Sequence, residues 1–395
     1  MKKAKFFIRT LATFTMLING FTEAQTPELV PYRKGDKWGF VTYGEKKMVV
    51  LPKYDEAEKF IEGLGAVKLN GKWGFIDITG REAVPPKYDY AGRFSEGLAE
   101  VSLNGKYGFV DKTGIEVVPP KYDYTSYFNE GLAVVRLNGK WGFTNKTGKE
   151  VVPPKYDYAG DFREGLSLVK LNDKWGFIDK TDKKVVPLKY DDAGDFHEGL
   201  AQVILNGKYG FIDKTGKEVI PPKYDLTERF REGLAVVKLN YKYGFIDKTG
   251  KEVIPPKYDL TKSFREGLGA IELNGRWGFV DKTGKEVIPP KYDAVLGFKQ
   301  CLAVVKLNDK WGFIDKTGEE VIPPKYERAI NFPEGLAWVR FNGKWGFIDK
   351  TSKEVVSPKY DDVNLFIGFD EGLAWVFLNR KKGLIDKEGR EYWED

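Results

Sequence analysis

Paired carboxylates are the residues of this sequence that come nearest to a catalytic pattern. The segment DKTGKE places Asp281 five positions before Glu286, and equivalent pairs recur along the chain. A catalytic pair needs one unusual environment that separates the pKa values of its two carboxyl groups. Many near-identical pairs on a turn-forming segment do not supply such an environment. The sequence therefore favours a turn here over a general acid–base site.

Nucleophiles and metal ligands are equally scarce. Cys301 is the only cysteine and His197 the only histidine. These counts exclude an intrachain disulfide and argue against zinc sites, Ser-His-Asp triads and Cys-His dyads. A calcium site along the Asp row is disfavoured because Asn145 replaces one Asp and a lysine follows most of the others. We therefore expect no enzyme activity, no metal and no cofactor.

An aromatic residue followed by glycine recurs at a nearly constant spacing, which indicates a tandem repeat. The spacing is 35 residues once and then 34 residues each time, at Trp38, Trp73, Tyr107, Trp141, Trp175, Tyr209, Tyr243, Trp277, Trp311 and Trp345. An eleventh copy follows with Lys382 in the aromatic position. Because Trp alternates with Tyr and shares a strand face with Phe, we expect the row from Trp73 to Trp345 to be a half-buried structural core. A sugar-stacking surface is the alternative.

Each copy has the periodicity of short strands. In GLAVVRLN, Ala133, Val135 and Leu137 alternate with Val134 and Arg136, so the first three are expected on a buried face and the other two in solvent. The Asn-Gly that follows predicts a two-residue hairpin turn. In the returning strand, Trp-Gly-Phe-Ile-Asp, the glycine predicts close approach of a neighbouring backbone or ring. A third strand, Lys-Glu-Val-Ile, is expected to end at Pro-Pro, because proline lacks the N–H donor.

A single three-stranded meander cannot bury its apolar face alone, so the copies are expected to stack. We predict an all-β fold in which tandem 34-residue repeats of short antiparallel β-meanders form an open β-array or superhelix. One or two β-propeller rings are the alternative. A propeller blade normally has four strands and about 40–50 residues, which is more than one copy supplies here.

Residues 1–24 have the features of a signal peptide. The basic segment MKKAKFFIR precedes a mostly apolar stretch, and Thr22-Glu23-Ala24 resembles a cleavage site. We therefore predict export to the periplasm, the outer surface or the extracellular space, with no membrane-spanning segment after signal removal. Residues 25–395 are predicted to form an array of ten to eleven repeats, from about residue 34 to residue 391, with terminal copies that act as caps.

The charge balance gives no basis for nucleic-acid binding. The first 24 residues carry four basic residues against one acidic residue, a net charge of +3 out of the formal +6 of the chain. The remaining +3 is spread over the whole array, and basic and acidic residues alternate within each repeat. Such a surface is typical of a solvated face rather than of a nucleic-acid interface.

Two tryptophans depart from the repeat and are the candidate ligand or partner contacts. Trp338 and Trp375 occupy a variable position that elsewhere holds Ala, Val, Glu or Gln, and the alternation places this position on the outward face. Stacking of adjacent copies is expected to bring them side by side. Such a patch would contact a partner protein or a cell-envelope glycan. The alternative is a cap in which they pack against the C-terminal segment with Trp393.

The pattern [WY]-G-F-[IV]-D-K-T-G-x-E-V-[IV]-P-P-K-Y-[DE] resembles the bacterial WG-containing repeat, also called the KWG repeat. The resemblance extends from about Lys34 to Glu391, with departures at Lys382 and in the insertion LFIGF at 365–369. It implies an exported or surface-associated repeat protein and brings no catalytic residues with it. We expect a non-enzymatic binding or interaction scaffold at the cell envelope or surface. A purely structural or assembly component without a discrete ligand is the alternative, and an enzyme is disfavoured.

Overall fold

Antiparallel β-sheets build the protein, one sheet per repeat, in a computed structural model that describes residues 29–42, 47–330, 335–363 and 373–393. We number these sheets as modules 1–11 in chain order. Module 1 contains β1 (Leu29–Lys34), β2 (Lys37–Thr42) and β3 (Met48–Tyr54). Among the described residues, no helix has the length and apolar character needed to cross a membrane.

Modules 2–11 are four-stranded, with neighbouring strands paired in chain order. Modules 2–4 contain β4 (Glu56–Ile61), β5 (Leu64–Leu69), β6 (Lys72–Asp77), β7 (Glu82–Tyr88); β8 (Tyr90–Ser95), β9 (Leu98–Leu103), β10 (Lys106–Asp111), β11 (Glu116–Tyr122); β12 (Tyr124–Thr125), β13 (Leu132–Leu137), β14 (Lys140–Asn145) and β15 (Glu150–Tyr156). Modules 5–7 contain β16 (Tyr158–Ala159), β17 (Leu166–Leu171), β18 (Lys174–Asp179), β19 (Lys184–Tyr190); β20 (Asp192–His197), β21 (Leu200–Leu205), β22 (Lys208–Asp213), β23 (Glu218–Tyr224); β24 (Leu226–Thr227), β25 (Leu234–Leu239), β26 (Lys242–Asp247) and β27 (Glu252–Tyr258).

The remaining modules continue the same series. Modules 8 and 9 contain β28 (Leu260–Arg265), β29 (Leu268–Leu273), β30 (Arg276–Asp281), β31 (Glu286–Tyr292); β32 (Ala294–Val295), β33 (Ala303–Leu307), β34 (Lys310–Ile314) and β35 (Glu320–Tyr326). Modules 10 and 11 contain β36 (Arg328–Ile330), β37 (Leu336–Phe341), β38 (Lys344–Asp349), β39 (Glu354–Tyr360); β40 (Asp362–Val363), β41 (Leu373–Leu378), β42 (Lys381–Asp386) and β43 (Glu391–Trp393). Two compact units divide the chain, one reaching Leu137 and including Asn145–Lys149, the other comprising Asn138–Thr144 and the residues from Glu150 onward.

The predicted all-β class and open array of tandem antiparallel repeats are confirmed. No sheet of the described residues closes into a barrel. Each module from the second onward differs from the predicted meander by a fourth strand at its start. In module 3 this strand is β8, which pairs with β9 through Tyr90 opposite Ser102 and Ala91 opposite Val101. The sequence did not reveal this strand because the tract varies between repeats and shows no alternation.

The hairpin turns adopt the backbone conformation that Asn-Gly predicts. In module 6, Asn206 and Gly207 have φ values of +51° and +71°. Tyr241 replaces the glycine in module 7 and still takes a φ of +66°. The left-handed region is unfavourable for a residue with a Cβ, so this turn retains its geometry at some cost in strain.

The third strand of the meander runs through Pro-Pro, whereas the sequence predicted that it would end there. In module 2, β7 pairs with β6 at Val84 opposite Phe75 and again at Tyr88 opposite Trp73, with a shift of register between the two pairs. The extra residues form a bulge, a place where proline is tolerated within a sheet. A Cβ on Gly74 would lie 2.3 Å from the carbonyl oxygen of Val84. The close backbone approach predicted for this glycine is therefore present.

Both faces of each inner sheet are buried, whereas the alternation predicted one face in solvent. Leu302 and Val304 of module 9 pack with Val339 of module 10. Ala303 and Val305, on the opposite face of module 9, pack with residues of module 8. The side chains that the alternation assigned to solvent therefore lie in the interface with the following module.

The tyrosine of each Lys-Tyr-Asp segment joins one module to the next. Tyr88 is fully buried, and its hydroxyl donates a hydrogen bond to Glu116 of module 3 at 2.8 Å. The equivalent bond from Tyr190 to Glu218 measures 3.0 Å. Burial, together with the bond to the carboxylate, raises the pKa of Tyr88 to about 12. The hydroxyl therefore keeps its proton at neutral pH and remains a donor.

The aspartate after this tyrosine connects two consecutive hairpins. Asp225 accepts hydrogen bonds from Lys208 Nζ in module 6 at 2.6 Å and from the backbone N–H of Asn240 in module 7 at 2.9 Å. The hydrogen bond from Lys208 lowers the pKa of the Asp225 carboxyl below its ordinary value of 3.8. Ionised Asp225 thus favours the folded state.

We predict that Asp225→Asn lowers the melting temperature at neutral pH, because the amide cannot replace the charged bond to Lys208. A carboxyl group whose pKa falls on folding stabilises the protein above its unfolded pKa, and this stabilisation is lost as the pH falls through the folded pKa. The difference between wild type and variant should therefore be full at about pH 7 and shrink below about pH 4. Thermal melts followed by circular dichroism across this range measure it.

The control for this prediction is Asp195→Asn. Asp195 is exposed and makes no ion pair in the part of the chain that the structure describes, so its replacement should change the melting temperature little. A difference between wild type and Asp225→Asn that persists unchanged down to about pH 2 would contradict the linkage.

Candidate functional site

Trp338 lies in the core, not on an exposed face. Its side chain is 1% exposed, and its ring centre lies 3.8 Å from that of Phe347 on the neighbouring strand. It belongs to a cluster in which module 10 packs with Ala374 and Val376 of module 11. The prediction that this position faces solvent is wrong for Trp338, because the next module covers the face that the sequence assigned to solvent.

Trp375 occupies the equivalent position of module 11 and is half-buried. Its neighbours Ala374 and Val376 face the cluster that contains Trp338. Successive residues of a strand point to opposite faces, so Trp375 points away from module 10. The structure therefore does not bring Trp338 and Trp375 side by side. The side chain of Trp393 and the insertion at 365–369 lie outside the described residues.

The aromatic residues of the aromatic-Gly pairs lie along an edge that is mostly half-buried. Trp73 and Trp345 are buried, and the half-buried members are Tyr107, Trp141, Trp175, Tyr209, Tyr243, Trp277 and Trp311. Lysine side chains cover several of these rings; Lys238 Nζ, for example, lies 5.2 Å from the centre of the Tyr243 ring. Most of this row is thus occupied by contacts within the chain.

The variable position that holds Trp338 determines how much space remains between successive modules. It holds Ala66 in module 2 and Glu100 in module 3. Glu100 reaches across to the next module, where the Thr125 hydroxyl donates to its carboxyl group, and burial raises the pKa of Glu100. Trp338 fills the corresponding space with its rings. Ala66 is too small to fill it.

A cleft of about 430 Å³ opens above Ala66. Its floor is apolar and consists of Ile61, Leu64, Ala66, Trp73, Phe75, Ala91, Gly92 and Phe94. Its rim combines charged and aromatic side chains from modules 2–4, namely Glu58, Lys59, Tyr90, Arg93 and Tyr127. Small-molecule sites typically occupy about 300–1,000 Å³ and combine an apolar lining with a few polar groups. The cleft has both features.

Two tyrosines present their rings at the rim. Tyr90 and Tyr127 are 39% and 38% exposed. The guanidinium carbon of Arg93 lies 4.9 Å from the centre of the Tyr127 ring, which restrains this ring by a cation–π contact. A Cβ on Gly92 would lie 3.4 Å from both tyrosines, so this glycine lies against the two side chains. Burial raises the pKa of Tyr90 to about 12, and its hydroxyl remains protonated at neutral pH.

This arrangement suits binding of a ring-shaped ligand that has apolar faces and polar edges. Aromatic rings supply flat apolar surface with little conformational freedom to lose. Lys59, Arg93 and the Tyr90 hydroxyl supply donors, and Glu58 supplies an acceptor. No cluster of three or more His, Cys, Asp or Glu residues in the described part of the chain could hold a metal ion.

Sequence reasoning missed the cleft because it looked for large aromatic residues at the variable position. The available signal was the opposite, a small residue in a position where other modules carry Glu, Gln, Leu or Trp. Arg93 and Tyr127 were further signals, since they depart from the neighbouring repeats in the variable tract. Their meaning depends on contacts between modules, which the pattern within one repeat does not show.

We predict that Trp338→Ala destabilises modules 10 and 11 by about 3–5 kcal/mol, because it leaves a cavity in a packed interface. Hydrogen exchange of β37–β42 is the measurement, since stability in a repeat array is local to neighbouring modules. Trp375→Ala is the matched control and should cost clearly less, because its side chain is only half-buried. Equal losses in the two variants would contradict the packing role of Trp338.

Fold and site together define a tandem β-repeat protein whose four-stranded modules pack face to face and leave a cleft where a filling side chain is absent. The chain belongs to the WG containing repeat family, as its resemblance predicted. The family model matches ten consecutive segments, at 38–73, 73–107, 107–141, 141–175, 175–209, 209–243, 243–277, 277–311, 311–345 and 345–381. No curated protein matches the sequence.

Several solved structures are similar to the chain at low identity. A eukaryotic initiation factor shares 11% identity over 93% of this chain and 98% of its own, with a TM-score of 0.38. Hsv2p of Kluyveromyces lactis shares 9% over 58% and 94%, with a TM-score of 0.33. The extracellular domain of BT4673 from B. thetaiotaomicron shares 9% over 93% and 64%, with a TM-score of 0.26. At these TM-scores the similarities carry no inference about function.

Proposed function

We propose that the protein is an exported, non-enzymatic binding scaffold of the cell envelope or surface. The observation that carries this proposal is the cleft above Ala66, in which an apolar floor and two exposed tyrosine rings meet a polar rim. The chemistry of its lining suits retention of a ligand. The signal peptide predicted at 1–24 supports export, although this segment lies outside the described residues.

Binding explains the cleft better than catalysis does. Among the described residues that line it, Glu58 is the one carboxylate. Glu100 lies nearby, but its carboxyl group accepts a hydrogen bond from Thr125 and is buried. Acid–base chemistry on a sugar requires a pair of carboxyl groups that flank the reacting bond, and the cleft does not present such a pair.

A cell-envelope glycan is the ligand that the cleft fits best. A pyranose ring has flat C–H faces that can pack on Tyr90 and Tyr127, and its hydroxyl groups can bond with Glu58, Lys59 and Arg93. The polar contacts set the orientation of the sugar, and the rings supply most of the buried area. A partner protein that inserts an aromatic side chain is the second candidate, because the same tyrosines would accept it.

A purely structural role is the alternative from another class. It is favoured by the repetition of the same contacts between modules, such as the bond from Tyr258 to Glu286 at 2.9 Å. In that case the cleft would be an unfilled interface without a ligand. The effect of the rim residues on binding separates the two proposals.

We predict that Tyr127→Ala weakens binding to an envelope glycan by about tenfold or more, because a stacked aromatic ring contributes on the order of 1–2 kcal/mol. The purified full-length protein would be co-sedimented with peptidoglycan and with a panel of insoluble polysaccharides. Tyr158→Ala is the matched control, since Tyr158 is 40% exposed and occupies the position of Tyr90 two modules later, outside the cleft.

Two outcomes would overturn this proposal. If neither wild type nor variant bound any of the polymers, the glycan ligand would be wrong. If Tyr158→Ala reduced binding as much as Tyr127→Ala, the cleft would not be the site. Thermal melts of both variants establish that any loss of binding is not a loss of folding.

We further predict that a bacterial host exports the full-length chain and removes its first 24 residues, because the segment combines a basic start, an apolar stretch and a small-residue site. Mass spectrometry of the exported protein should find an N-terminus at Gln25. A chain without residues 1–24 should remain in the cytoplasmic fraction. Equal distribution of the two chains between fractions would contradict export by this segment.

A further inference from the structure

We propose that a stripe of basic side chains on modules 5–9 binds an acidic polysaccharide. The basic stripe consists of the exposed residues that precede Glu-Gly or its counterpart in five consecutive modules, Arg163, His197, Arg231, Arg265 and Lys299. In modules 2–4 the same position holds Ile61, Ser95 and Asn129. The basic character is thus a property of part of the array and is not required by the repeat. This surface is separate from the cleft above Ala66.

The acidic residues beside the stripe are already engaged within the array. Glu198, next to His197, accepts a hydrogen bond from the backbone N–H of Gly233 at 3.0 Å and lies 3.1 Å from Lys248 Nζ. Ion pairs of the same kind join Glu232 to Lys282 and Glu266 to Lys316. Their charges are therefore compensated by lysines that are not part of the stripe.

The basic groups of the stripe have no such compensation. In the part of the chain that the structure describes, Arg163, Arg231, Arg265 and Lys299 make no ion pair. Asp195 and Glu228 are the acidic residues that line the adjoining pockets in addition to the engaged glutamates. Glu228 accepts a hydrogen bond from the Ser263 hydroxyl at 2.5 Å. The stripe therefore carries an excess of positive charge.

The basic groups follow one another at short and regular steps. Glu232 accepts the backbone N–H of Glu266 at 2.6 Å and that of Gly267 at 2.9 Å. Because one glutamate side chain spans the two modules, equivalent Cα atoms lie no more than about 9 Å apart here. That distance is close to the Debye length of about 8–10 Å at physiological salt. The fields of neighbouring basic groups therefore reinforce each other along the stripe.

Pockets adjoin the stripe and can accept anionic groups. Arg163, His197 and Arg229 line a pocket of about 210 Å³, together with Asp195 and Phe196 among others. Arg231 and Arg265 line an open groove of about 350 Å³. The guanidinium fork matches a carboxylate or sulfate in a bidentate arrangement. A polymer with one anionic group per sugar or per disaccharide can place such groups in successive modules.

An acidic polysaccharide fits this surface better than a single-stranded nucleic acid or an acidic protein. Proteins that bind single strands stack the bases on aromatic side chains, but in the described pockets Phe264 is buried and Phe196 is half-buried. A folded acidic protein presents a broad patch, whereas the stripe is one residue wide and five modules long. A linear chain with repeating anionic groups matches that shape.

The test measures binding of the purified full-length protein to immobilised polygalacturonate, with neutral dextran and double-stranded DNA as comparison surfaces. The stripe variant is Arg163→Gln/Arg231→Gln/Arg265→Gln/Lys299→Gln. The control variant is Lys183→Gln/Lys217→Gln/Lys251→Gln/Lys285→Gln. It removes the same charge at the same 34-residue spacing, from exposed lysines on the turns between the third and fourth strands of modules 5–8.

We expect wild type to bind polygalacturonate and not dextran, with an affinity that falls steeply as salt rises. The stripe variant should lose about tenfold or more in affinity, and the control variant about twofold or less. Arg231→Gln alone should give an intermediate loss, which guards against a fold defect in the fourfold variant. Equal losses in the two fourfold variants would show an effect of net charge only and overturn the proposal. Absence of binding to polygalacturonate, or tighter binding to DNA that depends on the stripe, would also overturn it.

Discussion

The hydrogen bond from the buried tyrosine of one module to the carboxylate of the next is the contact on which the array depends. Module 5 shows this most clearly, because Lys184 replaces the usual glutamate there. The carboxylate is supplied instead by Asp182, which accepts the hydrogen bond of Tyr156 at 2.7 Å. Asp182 replaces a glycine and takes a φ of +67°, an unfavourable conformation for a residue with a Cβ. The strain is tolerated because a buried hydroxyl without an acceptor would be costly.

Stacking through these tyrosines explains why each strand has two buried faces and why a variable position controls function. Residues such as Val101 pack with the preceding module, whereas Ala66 and Glu100 face the following one. A position that faces the following module is free to vary only if the space across from it can be filled in another way. Trp338 fills it with a ring and Glu100 with a hydrogen bond, whereas Ala66 leaves it open to a ligand. Function in this array can therefore arise by omission of a packing side chain.

The sequence revealed those features that one repeat determines by itself. Asn206 and Gly207 predict their turn, and Gly74 predicts the close approach of a neighbouring strand, because both depend on local backbone geometry. The burial of Trp338 and the cleft above Ala66 were not predictable in this way. They depend on which module covers the second face of a sheet, and alternation within a strand distinguishes two faces without revealing whether both are covered. The fourth strand was missed because it pairs in a tract without a period.

The contacts between modules also explain how surface chemistry can change along the chain without loss of stacking. Much of the connection near the Glu-Gly turns uses backbone N–H groups, which any residue except proline provides. Cys301 replaces a glycine in this turn and still donates its N–H to Glu266 at 2.8 Å. The residue that precedes the turn takes no part in this connection, so it can be Ile61 in one module and Arg231 in another. A repeat whose joints are made by backbone and by a few buried side chains leaves its exposed positions available to recognise different ligands in different modules.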